Sequence, residues 1–120
     1  MIKTEKQQPV RERKDVRGGK GVVTFHDFLA AEEAFGAGNL FTKAIIPAGA
    51  SVGEHRHDGE FEVYYVLAGT AEVNDNGALA MLNAGDMHRC ASGESHAIRN
   101  AGAGDLEVVM LILNENPSRS

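Results

Sequence analysis

GASVGEHRHDGEFEVYYVLAG, residues 49 to 69, decides how this chain is read. His55 and His57 are two apart, so on a β-strand both side chains point to one face, about 6.6 Å apart along the chain. Arg56 then points to the other face. His57 and Glu62 are five apart, an odd separation that would put them on opposite faces of one continuous strand. Asp58-Gly59 lies between them and is a strong tight-turn signal, because glycine accepts the positive φ such turns need. The expectation is a strand carrying the histidines, a turn, and a second antiparallel strand returning Glu62 beside them. His96 supplies a third imidazole further along, and three imidazoles with one carboxylate make a ligand set for a metal ion.

Around this stretch the residues resemble the cupin superfamily. Its first motif is a glycine, five residues, His-x-His, three or four residues, Glu, six residues and a glycine. Gly49, His55, His57, Glu62 and Gly69 match every spacing. The second motif is a glycine, five residues, Pro-x-Gly, two residues, His, three residues and Asn, which Gly85, Gly93, His96 and Asn100 reproduce. Ala91 stands where the motif has proline, which removes a rigid turn residue but no ligand. The two motifs span residues 49 to 100. The resemblance implies an all-β fold, an antiparallel double-stranded β-helix (jelly roll), in which His55, His57, Glu62 and His96 hold one metal ion inside a small barrel. It is similar in particular to small single-domain cupins compared with oxalate decarboxylases.

Outside the motifs, strand-like runs separated by Gly, Asn and Asp clusters dominate after residue 38, as an antiparallel all-β domain requires. The runs are Leu40 to Ile46, Phe61 to Leu67, Thr70 to Val73, Leu79 to Leu82, Met87 to Cys90, His96 to Asn100 and Leu106 to Leu113. Asn74-Asp75-Asn76-Gly77 reads as a tight turn. The last run is apolar on both faces: Val108, Met110 and Ile112 are expected to fill the barrel, and Val109, Leu111 and Leu113 to pack a second sheet or a partner subunit. Asp27 to Phe35 reads as the one helix, with Asp27 as N-cap and Gly36 as its stop.

A chain of 120 residues and 12.8 kDa fits one domain with a substantial share of its surface exposed. The formal charge of -5 is unevenly distributed: residues 1–20 hold seven Lys or Arg against three acids, and 21–120 hold five against fourteen. This divides the chain into a basic N-terminal arm, 1–20, read as solvated, and a single cupin barrel domain, 21–120. An acidic body argues against nucleic acid as the main partner. The longest apolar runs fall far short of the roughly 18 residues of a membrane span, and Met1 to Val10 has no apolar core like that of a signal peptide. The lone Cys90 asks for no oxidising compartment. The expectation is a cytoplasmic protein without membrane or nucleic-acid partners, associating as a homodimer.

Neutral imidazoles and a carboxylate suit divalent Mn, Fe, Ni, Zn or Cu, and four protein ligands leave one or two positions for water, oxygen or a substrate carboxylate. Strand parity puts Glu60, Glu62, Tyr64 and Val66 on one face. Tyr64 and Glu60 are therefore the candidate catalytic acid/base or ligand-orienting groups; the competing readings are a core tyrosine with a satisfied hydroxyl and a solvated rim carboxylate. Ile98 shares a face with His96 as an apolar wall. His88 shares one with Cys90, which leaves it either lining the cavity or structural. Beyond Arg119 in the tail, the cations of the body are Lys43, Arg56, Arg89 and Arg99, and an anionic substrate would need one of them or the metal. The leading expectation is a metalloenzyme acting on a small carboxylate or oxygenatable metabolite, of decarboxylase or dioxygenase type. The alternatives are a metal-dependent binding or sensory module without turnover and, third, a sugar-phosphate isomerase.

Overall fold

A computed structural model describes residues 1–115. They form ten strands: β1 (Val10–Lys14), β2 (Val22–Leu29), β3 (Gly38–Ile46), β4 (Ser51–Arg56), β5 (Glu60–Ala68), β6 (Thr70–Asp75), β7 (Ala78–Asn83), β8 (Met87–Cys90), β9 (Ser95–Asn100) and β10 (Leu106–Asn114). The strands make a six-stranded sheet, β1-β2-β3-β10-β5-β8, and a four-stranded sheet, β4-β9-β6-β7, with every pairing antiparallel. Inward residues of both sheets form one apolar core that includes Val23, Ala44, Ile46, Val66, Val73, Ile98, Leu106 and Val108. This is the jelly-roll arrangement; central strands such as β6, β9 and β10 alternate core and solvent side chains, while β1 and β7 at the sheet edges stay largely exposed. Arg119 lies outside the described residues.

All seven strands read from the sequence are present, with ends shifted by at most two residues. Asn76 (φ 53°) and Gly77 (φ 95°) form a two-residue turn between β6 and β7, both residues left-handed as a type I′ hairpin requires. In β10, Leu106, Val108 and Met110 are buried, while Val109, Leu111 and Leu113 face outward and are half-buried.

Two expectations are corrected. Asp27 to Phe35 is not a helix: β2 runs through Leu29, and only a 3-10 turn at Glu32–Ala34 follows. Asp27 does not cap anything. Its carboxylate accepts from Arg11 Nε at 2.6 Å and Nη2 at 2.8 Å, which fastens β2 to β1. Phe28 meets Phe41 edge-to-face at 4.9 Å. The turn covers an outer apolar groove lined by Leu29, Ala34, Phe41, Leu111 and Leu113, so sheet pairing and that cover outweigh a weak local helical signal. Secondly, the basic segment expected as a solvated, mobile arm is largely exposed, but it is fastened to the fold: β1 pairs with β2 along its whole length and the 3-10 turn at Val16–Gly18 packs on β4.

Candidate metal centre

The break at Asp58-Gly59 does more than reverse the chain. β4 belongs to the four-stranded sheet, where it pairs with β9, and β5 to the six-stranded sheet, where it pairs with β10 and β8. Glu62 therefore does not return beside the histidines as a hairpin partner; it faces them across the barrel interior. His55 on β4, His57 just after it and His96 on β9 come from one wall, and Glu62 from the other. His55 and His96 are register neighbours.

A bulge sets the aim of the first histidine. Val52 pairs with Ile98 and His55 with His96, so β4 spends three residues where β9 spends two. The extra residue lets Val52 and His55, an odd number apart, both point inward. Gly53 sits in the bulge with its backbone against that of Arg17 and Gly19, where an added Cβ would collide with the Arg17 carbonyl.

The four ligand atoms converge. Glu62 Oε1 lies 2.9 Å from His96 Nε2, 3.1 Å from His57 Nε2 and 3.4 Å from His55 Nε2. His96 Nε2 lies 3.1 Å from His57 Nε2 and 3.0 Å from His55 Nε2. Ligand atoms bound at about 2.1 Å and about 90–110° to one another are spaced by about 3.0–3.4 Å. His57, Glu62 and His96 are buried and His55 nearly so.

Each imidazole has its outer nitrogen committed elsewhere. His55 Nδ1 donates to Gly53 O at 2.8 Å, and His57 Nδ1 donates to Glu60 Oε1 at 2.9 Å. His96 Nδ1 faces His88 Nε2 at 3.1 Å, and a proton on Nδ1 completes that bond. All three Nε2 lone pairs then point at one another and at a carboxylate, an arrangement that repels itself unless a cation sits among them. The donor set thus fits a divalent transition metal.

The charges agree. Without a metal, protons can sit on Nε2 instead: burial alone would raise the Glu62 carboxyl, but the hydrogen bonds that His55, His57 and His96 then donate from Nε2 outweigh it and hold Glu62 ionised far below the usual range. The hydrogen bond to Glu62 raises His57 against the opposing effect of burial, with Glu60 adding to it. Burial lowers His96 and His88.

Tyr64 is fully buried and stacks on His96, ring centres 4.7 Å apart and planes 7° apart, with its hydroxyl 3.4 Å from His96 Nε2. Burial, then the Glu62 charge, pushes its phenol well above the usual value, so it stays protonated. Glu60 points at the back of His57, and its Oε2 accepts from Asn39 Nδ2 at 2.8 Å. Ile98 is buried in the core, and Cys90 is buried with its thiol pushed up to about 11 by burial.

Beside the ligands lies a cavity of about 110 Å³, walled by Val16, Phe25, Leu40, Val52, Met110 and Ile112, with His55, His57, Glu62 and Tyr64 at its polar end and Arg17 at its rim. Lys43, Arg56 and Arg99 are ion-paired with Glu107, Asp58 and Glu72, away from this cavity. Sequence reasoning assigned Arg17 to the arm and left His88 undecided. The β5–β8 register, which sets Tyr64 opposite His88, is the signal that turns His88 inward.

Barrel and side-chain cluster together define a small jelly roll with a candidate metal site. The chain belongs to the cupin domain family, which matches residues 42–112. It is 43% identical over 99 residues to the oxalate-binding protein of Thermotoga maritima, covering 82% of each chain. A crystal structure of a predicted oxalate decarboxylase from Thermotoga maritima superposes with a TM-score of 0.92 at 38% identity, covering 96% of this chain and 100% of that one. A Thermus thermophilus protein of 21% identity shares the fold, with a TM-score of 0.72 over 96% of this chain and 98% of its own.

Proposed function

We propose that this chain is a metal-dependent receptor for a small carboxylate of the oxalate class, holding one divalent Mn, Fe, Ni, Zn or Cu ion through His55, His57, Glu62 and His96. The observation that carries the reading is the convergence of three imidazole lone pairs and one buried carboxylate beside a small cavity. A bound metal would supply Lewis acidity and one or two open positions for a carboxylate. Glu60 and Gly53 fix the tautomers of His57 and His55, His88 does the same for His96, and apolar side chains flank the polar end of the cavity. The names of the Thermotoga relatives support the same ligand class.

Turnover of that carboxylate is the second reading, favoured by one observation: Tyr64 keeps a proton beside the ligand cluster. In it Tyr64 donates that proton to the reacting group, and Glu60 acts through His57. A sugar phosphate finds less support, because the cavity is small and has a single cation at its rim. Exposed Leu79 and Met81 on β7, an edge strand, and Tyr65, Leu67 and Met87 on the other sheet support a homodimer.

Calorimetric titration of the metal-loaded protein with oxalate tests the receptor reading: saturable binding that disappears in His96→Ala is expected, and no binding by the loaded wild type would overturn it. Carbon dioxide or formate release in the same mixture would add the turnover reading.

A further inference from the structure

We propose that Arg17 is the anion-recognition residue of this site, taking the carboxylate group that the metal leaves free and so selecting small dianions over monoanions; this rests on the small-carboxylate reading above. Arg17 is the one cationic side chain on the cavity wall among the described residues, and none of their carboxylates pairs with it. Two other cations of the first twenty residues are held by carboxylates elsewhere, Arg11 by Asp27 and Lys3 by Glu33.

The position is built. Arg17 has left-handed backbone angles (φ 53°, ψ 33°), and so does Asp15 (φ 52°, ψ 49°). Non-glycine residues hold this region at a cost, of order 1 kcal/mol or more, only where the surroundings impose it. Here Asp15 N–H donates to Gly21 O at 2.9 Å, Ser51 N–H to Lys20 O at 2.9 Å, and Lys20 N–H to Ser51 Oγ at 3.0 Å. Gly19 and Gly53 let the two backbones touch, since a Cβ on either would collide. The loop that carries Arg17 is thus fastened to the strand whose Gly53 carbonyl orients His55.

Charge counting sets the ligand class. A divalent ion with the Glu62 carboxylate and three neutral imidazoles leaves one positive charge at the polar end of the cavity, and Arg17 brings a second to its lining; the Glu60 carboxylate is hydrogen-bonded behind His57 and does not line the cavity. A dianion can meet the metal with one carboxylate and the exposed Arg17 with the other, whereas a monoanion meets only one of the two.

The test is calorimetric titration of the full metal-loaded chain with oxalate and with acetate, in wild type, Arg17→Asn and Arg17→Lys. Asparagine tolerates the left-handed backbone, so the loop is kept while the charge is removed. The expected result is a loss of oxalate affinity of about 10- to 100-fold in Arg17→Asn, the range of a charge-assisted hydrogen bond, with acetate affinity and metal content nearly unchanged and part of the loss recovered by lysine. Unchanged oxalate affinity in Arg17→Asn overturns the proposal alone. Equal loss of metal and of both anions in the two variants also overturns it, by making the role structural. A loaded wild type that binds neither anion removes the carboxylate reading and this proposal with it.

Discussion

Each ligand imidazole has two chemically different ends, and the residues behind the outer nitrogens decide what the inner ones can do. Glu60 holds Nδ1–H of His57, so Glu60→Ala is expected to lower metal affinity about 10- to 100-fold, and Glu60→Gln by less because an amide oxygen still accepts; competition with a chromophoric chelator measures both. Protons and metal compete for the same lone pairs. The Glu62 hydrogen bond raises His57 above its ordinary value near 6.5, so in the metal-free protein this proton stabilises the fold below about that pH and the contribution is lost as pH rises through the folded value. Metal affinity is accordingly expected to rise between about pH 5.5 and pH 7.5, and a flat profile would count against imidazole ligation. The clustering of His55, His57, Glu62 and His96 was foreshadowed by their motif spacing and the cupin resemblance that it carries. Arg17 and the task of His88 were not: a lone arginine in a basic run has no local signature, and His88 gains its role only from the register of β5 against β8.

At the scale of elements, short polar devices hold the ligand-bearing strands in place. Asn100, at the end of β9, donates from Nδ2 to Ile46 O at 2.8 Å and to Gly104 O at 2.7 Å, while Oδ1 accepts from Gly102 N–H at 2.8 Å. Asn100→Ala leaves these groups without partners in a mostly buried position, so a loss of about 1–3 kcal/mol is expected in denaturant unfolding. Where the second motif has proline, Ala91 N–H donates to Glu94 Oε1 at 2.8 Å, a bond that proline could not make. Between β1 and β2, burial raises Asp27 but the hydrogen bond from Arg11 outweighs it and lowers its carboxyl. A depressed carboxyl stabilises above its unfolded value near 3.8 and loses that as pH falls through the folded one. Asp27→Asn should therefore cost about 1 kcal/mol at neutral pH, with the gap closing below about pH 4. The hairpin at Asn76-Gly77 was readable because its turn chemistry is local; the β4 bulge and the strand over Asp27–Leu29 were not, because each is defined by a partner strand distant in sequence.

The whole molecule is two sheets closing on one apolar interior, with the ligand cluster bridging them: three ligands from the four-stranded wall, one from the six-stranded wall. A metal there would tie the sheets together, so removal by a chelator is expected to lower the melting temperature of the wild type and to leave His57→Ala unmoved. The outer faces carry apolar side chains that a lone copy leaves wet, Leu79 at 64% and Met81 at 51% exposure. Light scattering at micromolar concentration should return a dimer mass, with Met81→Lys shifting it toward monomer. Among the described residues no helix is long and apolar enough to cross a membrane. The most direct measurement is elemental analysis of the purified protein beside His57→Ala and His96→Ala. The account predicts about one transition-metal ion per wild-type chain and almost none in either variant; a wild type that stays metal-free after reconstitution with Mn, Fe, Ni, Zn and Cu would contradict it.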